Sequence, residues 1–262
     1  MKKSNVARAL VCAMALVAVP FAVADDNQFH WTGKLAPDQI VEIKDISGAI
    51  EATGVDGDTI EVTAAKTGED ADLVKINVVQ SSSGVTICAV WPNDEGSNGS
   101  CEQGHGDHHD IRGNVHAKVD FRVRVPRNLR FDASNVNGEV RAEGMGRFTR
   151  ATSVNGSVRV STTDLAEASS VNGSVEVRMG KNDWDGKLKF SSVNGSIEVE
   201  MPSNLNTEVR FSSVNGRFES DFPLTVQGTM GRGRVEGTIG NGGRELELKT
   251  VNGSVRLRKA SM

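Results

Sequence analysis

Four of the five histidines crowd one stretch, His105, His108, His109 and His116, with Asp107 and Asp110 among them and Cys101 just upstream. Imidazole and carboxylate at that density can hold Zn²⁺, Cu²⁺ or Ni²⁺. The spacing matches no established ligand set. A glycine-rich loop is also a poor scaffold for a site that needs a rigid outer shell. Two readings stand: weak periplasmic metal binding through this loop, and a solvated loop of biased composition. The second is the simpler, so neither a metal nor any other cofactor is assigned.

The usual catalytic signatures are missing. There is no Gly-x-Ser-x-Gly elbow, no His-Glu-x-x-His and no P-loop, and Gly231-Arg232-Gly233 is not followed by the rest of a dinucleotide fingerprint. Charged residues do recur at matching places, among them Arg159, Arg178, Glu198 and Glu219. Enzymes built on parallel β-helices use such faces on polysaccharides. The wet face of a strand is charged in any case, and salt-bridged ladders between repeats explain these residues without catalysis. No catalytic residue is assigned, and the chain reads as a non-enzyme.

The elements that carry these residues are repeats. Val-Asn-Gly occurs six times, starting at Val136, Val154, Val171, Val193, Val214 and Val251, with starts 18, 17, 22, 21 and 37 residues apart. The turn pairs are Asn137-Gly138, Asn155-Gly156, Asn172-Gly173, Asn194-Gly195, Asn215-Gly216 and Asn252-Gly253. Asn-Gly is a strong tight-turn signal, because both residues tolerate positive φ. After each turn the pattern alternates with period two. Val158 and Val160 oppose Ser157 and Arg159, and Ile197, Val199 and Met201 oppose Glu198 and Glu200. Each unit is therefore a strand with one dry face and one wet face. Met230-Gly231-Arg232-Gly233-Arg234-Val235 reads as a worn copy in the double-length gap, and Ile46-Ser47-Gly48-Ala49-Ile50 as an early one.

The fold class is all-β, and two architectures fit. In a β-helix-like solenoid each unit of roughly 20 residues is one coil, stacked through parallel ladders. In an antiparallel meander each Asn-Gly closes a hairpin, with Phe190 opposite Val199. The solenoid is preferred, because near-identical turns are expected where each coil must sit on the one below. It would also let the asparagines form a ladder, each amide bonding the next.

Residues 1–24 read as a signal peptide: Lys2, Lys3 and Arg8, an apolar run from Ala9 to Phe21, and Ala22-Val23-Ala24 for cleavage near Ala24. Cleavage would take the net charge from −4 to −7 and leave 238 residues. No other stretch is apolar enough to span a bilayer, and the acidic balance argues against nucleic acid as a partner. The expectation is an exported protein, periplasmic or secreted to the cell surface. Cys88 and Cys101 would then form a disulfide, worth about 3 kcal/mol for a loop of that size. A metal site is the competing reading of these cysteines. With no tyrosine and few other aromatics, a sugar-binding cleft is disfavoured. Residues 25–125 form a β-rich N-terminal region with the Cys/His loop at 88–113, capping the repeats at 126–262. Arg256, Arg258 and Lys259 are expected to blunt the last strand.

Two phrases carry a family resemblance. Val119-Asp120-Phe121-Arg122-Val123-Arg124-Val125-Pro126, followed by the Val-Asn-Gly repeats, resembles the bacterial putative-adhesin family of β-strand-repeat domains of unknown function. Val41-Glu42-Ile43-Lys44-Asp45-Ile46-Ser47-Gly48-Ala49-Ile50 is similar to that family's opening strand and first repeat. The resemblance implies a solenoid-like exported or envelope protein with a structural or adhesin-like role. It transfers no catalytic residue. A polysaccharide-binding or polysaccharide-active β-helix is the alternative. The envelope or surface partner and the oligomeric state are open.

Overall fold

The structure is a computed structural model that describes residues 27–92, 101, 115–226 and 233–260. The chain opens with β1 (Gln28–Gly33). β2 (Ile40–Lys44) and β3 (Ile50–Val55) flank the Ser47-Gly48 corner. β4 (Ile60–Thr67), a 3₁₀ turn at Ala71–Leu73, β5 (Lys75–Ser81), β6 (Gly84–Val90) and β7 (Lys118–Pro126) follow. Then come strand pairs joined by Val-Asn-Gly: β8 (Arg130–Asn137) with β9 (Val140–Met145), β10 (Thr149–Asn155) with β11 (Val158–Thr162), and β12 (Ala166–Asn172) with β13 (Val175–Met179). β14 (Lys187–Asn194) pairs this way with β15 (Ile197–Met201), and β16 (Thr207–Ser212) with β17 (Phe218–Ser220). β18 (Thr225–Val226) and β19 (Arg234–Ile239) precede the last pair, β20 (Glu245–Lys249) and β21 (Val255–Lys259).

The repeats stack as a β-solenoid. At each Asn-Gly the chain does not reverse within a sheet. It crosses to the other sheet, and the next coil lies parallel on the first. Ala151 is flanked by Ala133 and Ala168 in one sheet, and Val158 by Val140 and Val175 in the other, all in parallel register. The hairpin alternative is thereby overturned: Phe190 lies between Ala168 and Leu248, while Val199 lies in the other sheet between Val177 and Leu257. The turn chemistry differs too. Among the described residues Asp38 is the one non-glycine with positive φ, so no asparagine takes the left-handed backbone that a mirror-image hairpin turn needs.

Coil order departs from chain order at both ends. The β2–β3 coil lies between β6–β7 and β8–β9, and the last coil, β20–β21, lies between β14–β15 and β16–β17. The expected blunting of a last edge by Arg256, Arg258 and Lys259 is therefore not what these residues do. β21 is an interior strand, and Arg256 pairs with Glu198 and Glu219 on its two neighbours. The worn copy is corrected as well. Its described part, Gly233 onward, enters β19, which runs antiparallel to β16 and forms no coil corner. Antiparallel strands close the ends: β4 on β7, β1 on β4 and β5 on β6 at one, β19 on β16 and β18 on β19 at the other. They end the parallel ladder without leaving a full coil face open.

The core lies between the two sheets and runs unbroken from Val41 to Leu257. Small residues on one sheet (Ala133, Ala151, Ala168) share the interior with valines on the other (Val140, Val158, Val175), so the layers interdigitate. Larger side chains fill both ends, with Phe121 and Phe131 towards the start of the stack and Phe190 and Leu248 towards its far half. Each fully buried valine, leucine or phenylalanine contributes about 1.5–3 kcal/mol.

Candidate interaction surface

The corner residues form three ladders. The asparagine side chains bond coil to coil: Asn155 Nδ2 donates to Asn137 Oδ1 at 2.8 Å, Asn172 to Asn155 at 2.8 Å and Asn194 to Asn172 at 2.8 Å. Asn252 then donates to Asn194 at 2.8 Å and Asn215 to Asn252 at 2.9 Å, following the spatial order of the coils. The second ladder is backbone: Gly138 N–H donates to Asn155 O at 3.0 Å, and Gly173 N–H to Asn194 O at 3.1 Å.

The third ladder is internal and uses the residue two before the asparagine at five of the six corners; at the sixth, Ser213 donates instead to Val251 O at 3.4 Å. Ser153, Ser170 and Ser192 are buried and donate to Gly138 O, Gly156 O and Gly173 O at 2.9, 2.8 and 2.9 Å. Thr250 donates to Gly195 O at 3.1 Å, and Asn135 to Gly48 O at 2.7 Å. The Asn-Gly turn by itself does not mark these side chains. The signal was present in the repeated phrase Ser-Val-Asn-Gly, whose serine falls on the dry face of its strand.

The glycines are there for closeness. A Cβ on Gly156 would collide with Gly138 O, one on Gly173 with Gly156 O, one on Gly195 with Gly173 O and one on Gly253 with Gly195 O. The stack brings each corner onto the carbonyl of the next, which leaves no room for a side chain. The valine of each motif faces out: Val136, Val154, Val171 and Val193 are each a little under two-fifths exposed.

Next to this edge lies the outer face of the sheet that contains β9, β11, β13, β15 and β21. Its charges are paired across coils. Arg159 Nε meets Glu176 at 2.8 Å, and Arg178 Nε meets Glu200 at 2.8 Å. Arg256 bridges Glu198 at 3.8 Å and Glu219 at 3.2 Å, and Arg258 meets Asp221 at 3.0 Å. The hydrogen bond from Arg159 holds the Glu176 carboxyl below the usual carboxylate range, and Arg258 does the same to Asp221. An open hollow of ≈ 410 Å³ runs over this face, lined by residues including Arg159, Ser161, Glu176, Arg178 and Glu198. With these guanidinium groups paired, the face offers a fixed pattern of charge at coil spacing.

The opposite sheet carries a partly buried acid pair that sequence reasoning missed. Glu42 and Asp132 are register partners on β2 and β8. Glu42 accepts from Thr86 Oγ1 at 2.8 Å, and Arg150 lies 3.6 Å from Asp132 and 2.9 Å from Glu167. Burial pushes Asp132 up to about 6, against the pull of Arg150 and with a further push from Glu42. Nothing in the sequence marks which carboxylates on a wet face will be covered.

Cys88 and Cys101 form a disulfide with Cα atoms 5.8 Å apart, and with Val90 they make a small buried cluster on the outer side of β6. His105, Asp107, His108, His109 and Asp110 lie outside the described residues, as do the signal-peptide segment and Arg232. His116 is described, and its backbone N–H donates to Asp70 at 2.7 Å. Among the described residues no group of three or more histidine, cysteine or acidic side chains is placed to hold a metal. No described helix is long and apolar enough to cross a membrane.

No curated protein matches the chain. Among solved structures, it is similar to a putative cell adhesion protein from Clostridium sporogenes (9% identity, 89% of this chain and 100% of that one, TM-score 0.47). It is also similar to putative adhesins from Bacteroides fragilis (12% identity, 90% and 98%, TM-score 0.33) and Parabacteroides distasonis (10% identity, 88% and 96%, TM-score 0.33). The model of one protein family, Toastrack DUF4097, matches residues 41–258. That span takes in every coil of the stack, and the chain belongs to the Toastrack DUF4097 family.

Proposed function

We propose that this is an exported, non-enzymatic β-solenoid that serves a structural or adhesin-like interaction role at the cell envelope. The observation that carries the reading is the paired charge lattice on the outer face of β11, β13, β15 and β21. Arg159, Arg178, Arg256 and Arg258 each meet a carboxylate on a neighbouring coil, so their positions are fixed at coil spacing. A rigid pattern of alternating charge suits recognition of a partner by complementary charge, which sets orientation and encounter rate more than raw affinity. Export rests on the leader-like residues 1–24 and on the use of a disulfide.

The test is retention. Protein lacking residues 1–24 is immobilised and challenged with the envelope fraction of its own cells. Specific retention is expected, weakening with salt and lost in an Arg159→Glu/Arg178→Glu variant that keeps its circular dichroism. Retention no better than that of an unrelated solenoid, or unchanged in the variant, contradicts the reading. A glycan array and a lyase assay run beside it are expected to be blank. A positive lyase assay moves the protein to the polysaccharide-active class.

A further inference from the structure

Asp45 occupies the inner-ladder position of the first coil. It precedes Ile46-Ser47-Gly48 as Asn135 precedes Val136-Asn137-Gly138, and its N–H donates to Ser134 O at 2.9 Å. In the coils beyond, this column holds donors: Asn135, Ser153, Ser170, Ser192 and Thr250. An ionised aspartate is an acceptor only, so it does not fit the column chemically.

The surroundings point the same way. Asp45 is 4% exposed, and neither of its carboxyl oxygens has a hydrogen bond of good geometry. Two other buried groups nearby are also without partners: Trp91 Nε1, which faces the carboxyl from the end of β6, and Asn135 Oδ1, on the coil stacked against it. Asn135 cannot turn to relieve this, because its Nδ2 is held by Gly48 O at 2.7 Å. Two buried groups thus want an acceptor and a donor, and a carboxylic acid supplies one of each.

We propose that Asp45 keeps its proton in the folded protein at neutral pH, accepting from Trp91 Nε1 and donating to Asn135 Oδ1, so that the first coil is joined to its neighbours by a proton-dependent joint. Burial raises the Asp45 carboxyl well above its usual range, and the like charge of Asp120 on β7 adds to this. The N–H groups of Ile46 and Ser47 and the indole of Trp91 oppose it. Asp120 is itself occupied by Ala49 N–H at 2.8 Å. On Asp45's own strand, Glu42 and Lys44 lie 3.8 Å apart on the opposite face, and Cys88 on β6 is oxidised. With the proton gone, the joint becomes a buried charge beside a carbonyl oxygen, so acid tightens this end of the stack and alkali loosens it.

Thermal unfolding of wild type and Asp45→Asn from pH 4 to pH 8 tests this. Asparagine fits the column, since the next coil carries it at the same place. The folded protein binds the proton more tightly than the unfolded chain, so wild type loses stability as pH rises above about 4. The two curves are expected to meet near pH 4, with Asp45→Asn the higher by about 4 °C or more at pH 8. A gap that does not change with pH overturns the proposal. Carboxyl-labelled aspartate followed by ¹³C NMR in wild type gives a second readout that does not depend on the variant folding. One side chain should remain protonated at pH 7, and none doing so overturns the proposal.

Discussion

At the residue scale, glycine in this repeat is a spacing requirement. Adding a Cβ to Gly173 places it on Gly156 O, an atom fixed by its bond from Ser170. Gly173→Ala is therefore expected to cost about 1–3 kcal/mol in urea unfolding, like other overpacked sites. The asparagine beside it is exposed, so water competes for its two ladder bonds (to Asn155 and Asn194) and each contributes at the low end of the usual range, about 0.5 kcal/mol. Asn172→Ala should cost less than Gly173→Ala in the same experiment, and the reverse order would mean that the amide ladder, and not the glycine contact, holds the corner. Asp132 adds a pH dependence. Its folded value of about 6 lies above the usual 3.8, so stability is greatest while it is protonated and falls as pH rises from about 4 to 6. Asp132's own share of the loss is about 2–3 kcal/mol and is complete by the top of that window; Asp132→Asn should remove this share when stability is measured against pH and leave the share carried by Asp45.

At the scale of elements, the strands were readable and their company was not. The alternation around Val158, Val175 and Ile197 gave the dry face directly, and the repeated corner gave the coil. The asparagine ladder followed from identical residues stacked in register. The place of the last coil did not follow, because β20 and β21 carry the same period-two pattern whether they sit at an edge or between two coils. Gly233 misled for a related reason: a Gly-x-Val phrase after a strand is as consistent with an antiparallel return as with a coil corner. The disulfide is the other device at this scale. Cys88→Ser with Cys101→Ser should cost about 3 kcal/mol in chemical unfolding of the oxidised protein. No loss would mean that the cross-link does not restrain the unfolded chain.

At the scale of the whole molecule, coil order departs from chain order near both ends of the stack. The β16–β17 coil meets the rest of the stack through β20 and β21, which bury Leu246, Leu248, Val255 and Leu257. Truncation before Arg244 therefore removes an interior layer. It should expose β16–β17 to limited proteolysis, whereas a stack in chain order would lose only its outermost coil. The charge lattice proposed for recognition also crosses this junction, through Arg256 to Glu198 and Glu219.

Oxidative cross-linking tests that order most directly. Ser196 and Ser254 lie just ahead of the adjacent parallel strands β15 and β21, one residue before the partners Ile197 and Val255, and Ile197 N–H donates to Ser254 O at 2.9 Å, a neighbouring placement that suits a disulfide. Protein lacking residues 1–24 and carrying Ser196→Cys with Ser254→Cys is expected to cross-link rapidly in the folded state under mild oxidation. Ser196→Cys with Arg217→Cys, separated by the inserted coil, is expected to stay reduced. Rapid cross-linking of the second pair and none of the first would contradict the inserted coil and every ladder drawn through it.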